Sequence, residues 1–418
     1  PLCYRDYLRD TLLTCRGPMP PSLQDLTADL LAAARKAGAT DADAIAVDGT
    51  SISIDVRDGK LEQAERSEGI DIGLRVLIGK RQACVSASDV SASTIATMAE
   101  RAVAMAREAP EDKHIGLADP SQLATSWDLA ALDMVDPNDE PAAATLQEKA
   151  RMAEAAALGV TGISKIDSAS AAYGRRNIYL AASNGFAGGY SRTSHANSCV
   201  PITGEGTKME RDYYGDFRIH GSDMESAEVI GRKAAERTLA RAGARKPPTG
   251  SFPVLYDERV ASSLIGHLLG AINGVAIARG ASWLRDAMGE QVLPAGLSIH
   301  EDPLRPRATS SKPFDAEGLP ALARDIVRDG VLQGWTLDLG TARQLGIQST
   351  GSASRGTSSP PSPSLSNIAL TQGDKSRAEL LADMGTGLLV TSMIGSSINA
   401  TTGDYSRGAS GFWVVNGE

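Results

Sequence analysis

The sequence predicts an α+β protein, with an N-terminal region of helices around an antiparallel meander followed by a glycine-rich, mainly β C-terminal domain. Three observations carry this reading. Residues alternate with period two through "AIAVDGTSISIDVRDGKLEQAERSEGIDIGLRVLIGKRQACVSAS", helical spacing flanks that stretch on both sides, and "GARKPPTGSFPVLYD" supplies the Pro/Gly punctuation of a domain boundary. The boundaries are set at 22–246 and 247–418, with a sub-boundary in the polar, Asp/Pro-rich connection 111–141.

Residues 1–21 do not join the pattern. Met19, followed by "PPSLQDLTADLLAAARKAGA", makes a more natural start, so the segment is read as an extension outside the fold. From Leu23 to Lys36 apolar residues recur at helical spacing, and Gly38 offers the C-terminal cap. Turns at Asp58-Gly59 and Gly79-Lys80 divide the alternating stretch into three or four strands. Ser91, Ser93 or Thr94 caps a second helix over Ile95 to Glu108, which Pro110 ends. A third helix follows over Ala142 to Leu158, then two strand pairs with a hairpin at Asn184-Gly185, then a helix from Glu225 to Arg241. "SLIGHLLGAINGVAIARG", Ser263 to Gly280, reads as one apolar helix. Ser349 to Asn367 is too rich in Pro and Ser for regular structure, and a loop of that length is functional or disordered. The chain stops at "GFWVVNGE", where Asn416-Gly417 predicts a hairpin without a return strand, an end expected to fall short of the native C-terminus.

The 418 residues can bury their own cores without a metal or disulfide staple. Cys3, Cys15, Cys84 and Cys199 are far apart with no C-x-x-C spacing, which fits a reducing cytoplasm. Neither a long apolar run nor a signal-peptide pattern occurs, so no membrane is expected to be involved. With 51 acidic against 42 basic residues the net charge is -9, which argues against direct binding of nucleic acid.

A zinc hydrolase needs about three converging N, O or S ligands and a base. The histidines, His114, His195, His220, His267 and His300, are too far apart in sequence for H-E-x-x-H. His267 reads as a hydrogen-bonded histidine packed at a helix surface, and His300 as a loop histidine beside acids. G-x-S-x-G and the phosphate-binding G-x-x-x-x-G-K-[ST] are both absent. The glycine cluster "GDYSRGASG", Gly403 to Gly411, has two readings: a turn feeding a strand, or a surface that lets another chain approach its backbone.

"FDAEGLP" at Phe314, "GVLQGWTLDLGTARQLG" at Gly330, "STGSASRG" at Ser349 and "SINATTGDYSRGASGFWVVNGE" at the end closely resemble the TldD/PmbA family of peptidases, also catalogued as modulators of DNA gyrase. The resemblance covers about Ser22 to Glu418. In the TldD branch a helix carries the zinc-binding H-E-x-x-x-H. Counted back from Gly280, those positions fall here on Ile265, Gly266 and Gly270, and the family's later cysteine ligand has no counterpart after Cys199. Such loss marks the PmbA, or TldE, branch.

The resemblance therefore implies a non-catalytic partner of a zinc-dependent metallopeptidase complex that binds unfolded peptides. No cofactor is expected in this chain, zinc belongs to a TldD-like catalytic subunit, and a homodimer is expected when that partner is missing. Asn399, Thr402, Gly403, Asp404, Tyr405, Arg407 and Gly408, together with the loop Ser349 to Asn367, are expected to line the peptide cleft or the interface. Two alternatives stay open: a stand-alone peptide-binding or regulatory homodimer, and an enzyme using Asp404, Arg407 or His300.

Overall fold

The computed structural model describes residues 21–395 and 398–418; all but the last residue of the segment read as an extension lies outside them. Helix α1 (Leu23–Ala37) starts at a capping box, in which Ser22 Oγ accepts from the Asp25 N–H and the Asp25 carboxylate accepts from the Ser22 N–H. It ends on Gly38 at φ +102°. Strands β1 (Asp41–Arg57), β2 (Lys60–Ile78) and β3 (Arg81–Ala87) form the meander, which has three strands. Asp58 and Gly59 both take positive φ at its first turn, the geometry that matches the twist of a two-residue hairpin. Helix α2 (Ala92–Glu108) follows, capped by Ser91.

After the connection come α3 (Ala143–Leu158), β4 (Ile163–Ala182), β5 (Ala187–Thr203), β6 (Glu210–Arg211), β7 (Tyr214–Arg218) and α4 (Ala227–Ala240). The sequence predicted two strand pairs where one long hairpin stands. Midway along it, Gly174, Arg175 and Arg176 stay in register opposite Ser194, Thr193 and Arg192. A Cβ at Gly174 would come 2.8 Å from Ser194 Oγ, so the glycine accommodates a close neighbour rather than a turn.

β4 pairs with β1, so both hairpins share one antiparallel sheet in the order β3-β2-β1-β4-β5-β6, with β7 also on β5. On its first face, Leu26, Leu30, Ile72, Leu74, Ile95 and Met98 form a core under α1 and α2. Ile52, Ile54, Val56 and Tyr173 do the same with Leu146 of α3. Each fully buried leucine there contributes about 2 kcal/mol. On the second face Ile45, Val47, Leu180 and Phe186 pack against Phe314 of the C-terminal domain.

Beyond residue 249 the strands are short. β9 (Ile299–Glu301) is flanked by β10 (Arg324–Arg328) and β14 (Ile368–Leu370), and β11 (Val331–Leu332) continues the sheet from β10. A separate sheet joins β15 (Gly387–Ile394) to β8 (Val254–Tyr256) and β16 (Gly408–Val414). The expected single helix of Ser263 to Gly280 is two: α5 (Glu258–Ala271) and α6 (Gly274–Ala278). Asn273 breaks it because its side chain accepts the Val275 N–H and caps α6. Leu268, Ala271 and Ile272 join Leu284, Ile299, Ile326 and Leu332 in the domain core.

The loop Ser349 to Asn367 has only β12 (Ala353–Ser354) and β13 (Ser362–Pro363) as regular structure. It lies against the large sheet: a Cβ at Gly73 of β2 would come 2.1 Å from the Thr357 carbonyl oxygen. The side chain of Arg355 in this loop is fully buried and pairs with Asp43 of β1, which also binds Arg75 of β2 at 2.5 Å. No helix among the described residues is long and apolar enough to cross a membrane.

Candidate functional site

Helix α5 has two unlike faces. Ile265 and Leu268 turn towards the domain core, whereas Gly266 and Gly270 are exposed and a Cβ at either would meet nothing within 4 Å. Helical geometry puts these two glycines one turn apart on the same side. His267 is half-buried, with its ring 5.2 Å from that of Tyr405. The packing agrees with its reading as a helix-surface histidine. The expected hydrogen bond does not: Nε2 is buried and has no partner among the described residues.

Tyr405 belongs to the segment in which most of the predicted site residues fall, and that segment is organised by its own hydrogen bonds. The Asn399 N–H donates to the Asp404 carbonyl at 2.8 Å, and the Gly403 N–H to the Asn399 carbonyl at 2.8 Å. Asn399 Oδ1 accepts from the Thr401 and Thr402 N–H groups, and Thr402 Oγ1 donates to Asp404 Oδ2 at 2.7 Å. Gly403, at φ +80°, rests on the Trp283 indole, and the backbone N–H of Trp283 donates to the Ala400 carbonyl at 3.0 Å. The Tyr405 hydroxyl donates to Met393 Sδ at 3.4 Å. Asp404 bonds within its own turn and not to Arg407, whose buried Nε has no partner among the described residues. Gly408 opens β16 opposite Ile394 and meets it only at ordinary contact distance.

Thus Asn399, Thr402, Gly403, Asp404 and Tyr405 come together beside α5. The loop Ser349 to Asn367 packs instead on the large sheet, and His300 stands apart on β9 rather than in a loop. Its Nδ1 pairs with Asp325 of β10 at 2.9 Å, whereas the adjacent Glu301 binds Arg324.

The α5 region does not have the chemistry of a zinc site. Ile265, Gly266 and Gly270 offer no donor, His267 faces an aromatic ring, and no group of three or more His, Cys, Asp or Glu side chains converges among the described residues.

A second polar centre, not anticipated from the sequence, lies where the C-terminal domain meets the second face of the sheet. Asp43 is shared by Arg75 and Arg355. Asp315 Oδ1 accepts the N–H groups of Glu317 and Leu319, and Oδ2 that of Ala353. Burial, then the charge of Asp315, pushes the Glu317 carboxyl up to about 8. Burial likewise lowers the Lys312 ammonium below its ordinary value.

With this geometry in hand, family models match the chain along most of its length: PmbA/TldA metallopeptidase domain 1 over residues 42–106, the central domain over 136–242 and the C-terminal domain over 249–418. The metalloprotease PmbA of Escherichia coli O157:H7 is 36% identical over 371 residues, 88% of this chain and 80% of that protein. A crystal structure from Bacteroides thetaiotaomicron, of a protein described as a modulator of DNA gyrase, superposes with a TM-score of 0.87 at 25% identity, covering 94% of this chain and 87% of the other. The structure of TldE from Thermococcus kodakarensis matches in fold, with a TM-score of 0.82 at 18% identity over 94% of this chain and 88% of that one.

Proposed function

As the chain belongs to the PmbA/TldD metallopeptidase family, we propose that it is the non-catalytic subunit of a zinc-dependent peptidase complex, binding unfolded peptides for a TldD-like partner that holds the metal. One observation carries this reading. The helix that resembles the metal helix of the TldD branch presents Gly266 and Gly270 on an open side where ligands would stand.

Glycine in a helix interior costs roughly 0.5–1 kcal/mol relative to alanine. Two exposed glycines with free space around them gain the isolated chain nothing, and a partner surface seated against the helix backbone accounts for both. Leu264, Trp283, Ile394 and Tyr405 are exposed apolar side chains on the elements around this side, as an interface core requires. The same surface makes the chain self-associate when its partner is missing. The scattered cysteines support a reducing, cytoplasmic setting.

The test is reconstitution. Alone, the purified chain is expected to hold no stoichiometric zinc by elemental analysis and to leave unfolded peptides intact. Mixed with a paralogue carrying H-E-x-x-x-H, it is expected to give cleavage that a chelator abolishes. Chelator-resistant cleavage by this chain alone would defeat the proposal. If mixing gives neither a complex nor activity while light scattering shows a dimer, the stand-alone homodimer is the better reading.

A further inference from the structure

The second face of the large sheet is only partly covered by the C-terminal domain. Beyond the covered end, Gly49, Ser51, Gly69, Gly174 and Ser194 floor a groove of about 490 Å³. Small side chains leave the backbone approachable there, as an extended chain lying on a sheet requires. The groove leads into a smaller pocket of about 140 Å³ between the sheet and the C-terminal domain, with Arg176 lining both.

The pocket has an unbalanced charge. Arg176, Lys312 and Arg355 line it against a single acid, Asp315. That carboxylate is already occupied by three backbone N–H groups. Arg192, directly opposite Arg176 across the β4–β5 ladder, donates to the Thr309 and Ser311 carbonyls at 2.6 Å, and neither carbonyl neutralises its charge. Lys312 Nζ likewise donates to the Ala353 carbonyl and has no ion pair among the described residues. Arg355 has a side chain with no exposed surface; it spends Nη1 on Asp43, while Nη2 is buried without a hydrogen-bond partner among the described residues. Arg176 is exposed, with no hydrogen bond or ion pair among the described residues. A buried cationic donor left without a hydrogen-bond partner, as Arg355 Nη2 is among the described residues, is costly in an empty pocket and is satisfied by an anion of matching size.

We propose that this pocket binds a carboxylate of an extended peptide whose backbone lies in the groove over Gly49, Gly174 and Ser194, with Arg176 and Arg355 as the fork donors and Lys312 as a point charge. The inference rests on the reading of the chain as a peptide-binding subunit, and adds that it prefers peptides whose free C-terminus or acidic side chain reaches this end of the groove.

Fluorescence anisotropy on the full chain tests it with three labelled probes of one neutral Gly/Ser/Ala sequence: free C-terminus, amidated C-terminus, and amidated with one internal Glu. At least one carboxylate-bearing probe is expected to bind about tenfold more tightly than the amidated neutral one, the worth of a single charge-assisted contact. Which of the two does so tells an α-carboxylate from a side-chain carboxylate. Arg176→Ala is expected to erase the preference at unchanged Tm, and Arg176→Lys to restore part of it. Equal binding of all three probes, or a preference that survives Arg176→Ala, overturns the carboxylate site and leaves the peptide-binding reading standing. No binding of any probe overturns both.

Discussion

The large sheet and the C-terminal domain hold their shape by different means. β1, β2, β4 and β5 run for 17 to 20 residues, and their order comes from ladder hydrogen bonds and alternating burial. The strands beyond residue 249 have two to eight residues, and buried charged groups do much of the fixing: Glu301 binds Arg324 at 2.8 Å and also accepts from Ser366, and Asp315 gathers three N–H groups. Regular ladders tolerate local change because neighbouring bonds keep the register. Buried charges do not, because removing one partner strands the other.

The largest expected effect therefore falls where the two regions meet. Asp43→Ala leaves the buried guanidinium groups of Arg75 and Arg355 without their shared carboxylate, and urea unfolding is expected to show a loss of about 3–5 kcal/mol. Arg66→Ala, which breaks exposed pairs with Glu68 and Glu140, is expected to cost at most about 1 kcal/mol. Similar losses for the two would erase the contrast between the regions.

A smaller effect separates two glycines on one strand. Neither Gly69 nor Gly73 has positive φ, so only space distinguishes them. Gly73→Ala drives a methyl group into the Thr357 backbone and is expected to cost about 1–3 kcal/mol, whereas Gly69→Ala meets nothing within 4 Å and should be nearly neutral. If both are neutral by thermal melting, the loop Ser349 to Asn367 is not seated as described.

The last effect is one of pH, spread over several units rather than concentrated at one contact. The Glu317 carboxyl, raised to about 8, keeps its proton in the native state across a range where the unfolded chain, titrating near ~4.3, has released it. Stability is therefore expected to fall as pH rises through that window, by at most about 1.4 kcal/mol per unit, and Glu317→Gln should flatten the slope. Asp136, beside the sheet, works in the opposite sense. Burial pushes its carboxyl up, but N–H donation from Gly221 and Asn138 outweighs that and holds it at about 2, so its contribution is present above ~3.9 and is lost as pH falls towards 2. Denaturant midpoints measured from pH 3 to 9 check both signs.

The difference between the regions also decides what was legible in the sequence. Helices with local caps, such as Ser22 with Gly38, and hairpins with Asp58-Gly59 or Asn184-Gly185 announce themselves because the determining contacts lie within a few residues. The pairing of β1 with β4 does not, since its partners are more than a hundred residues apart. Asn273 as a helix breaker was hidden because an asparagine within an apolar run gives a weak local signal; its cap forms only with the turn that follows. Of the candidate site, the clustering of Asn399 to Tyr405 was readable from its turn chemistry, but its contact with His267 and Trp283 was not. The basic pocket was invisible: Arg176, Lys312 and Arg355 come from three segments, and nothing local in any one of them implies the other two.

The β1–β4 seam has a consequence for synthesis. A ribosome delivers the chain from its N-terminus, so α1, the three-stranded meander and α2 can assemble while β4, residues 163–182, does not yet exist. During that interval β1 is an unpaired edge 17 residues long, with its second face bare at Ile45 and Val47. Such an edge is open to pairing with another nascent chain, and it closes only when β4 emerges and docks along it. Slow translation through residues 111–162 prolongs this exposure and gives chaperones more to do, whereas the C-terminal domain, which covers part of the second face, always arrives too late to help.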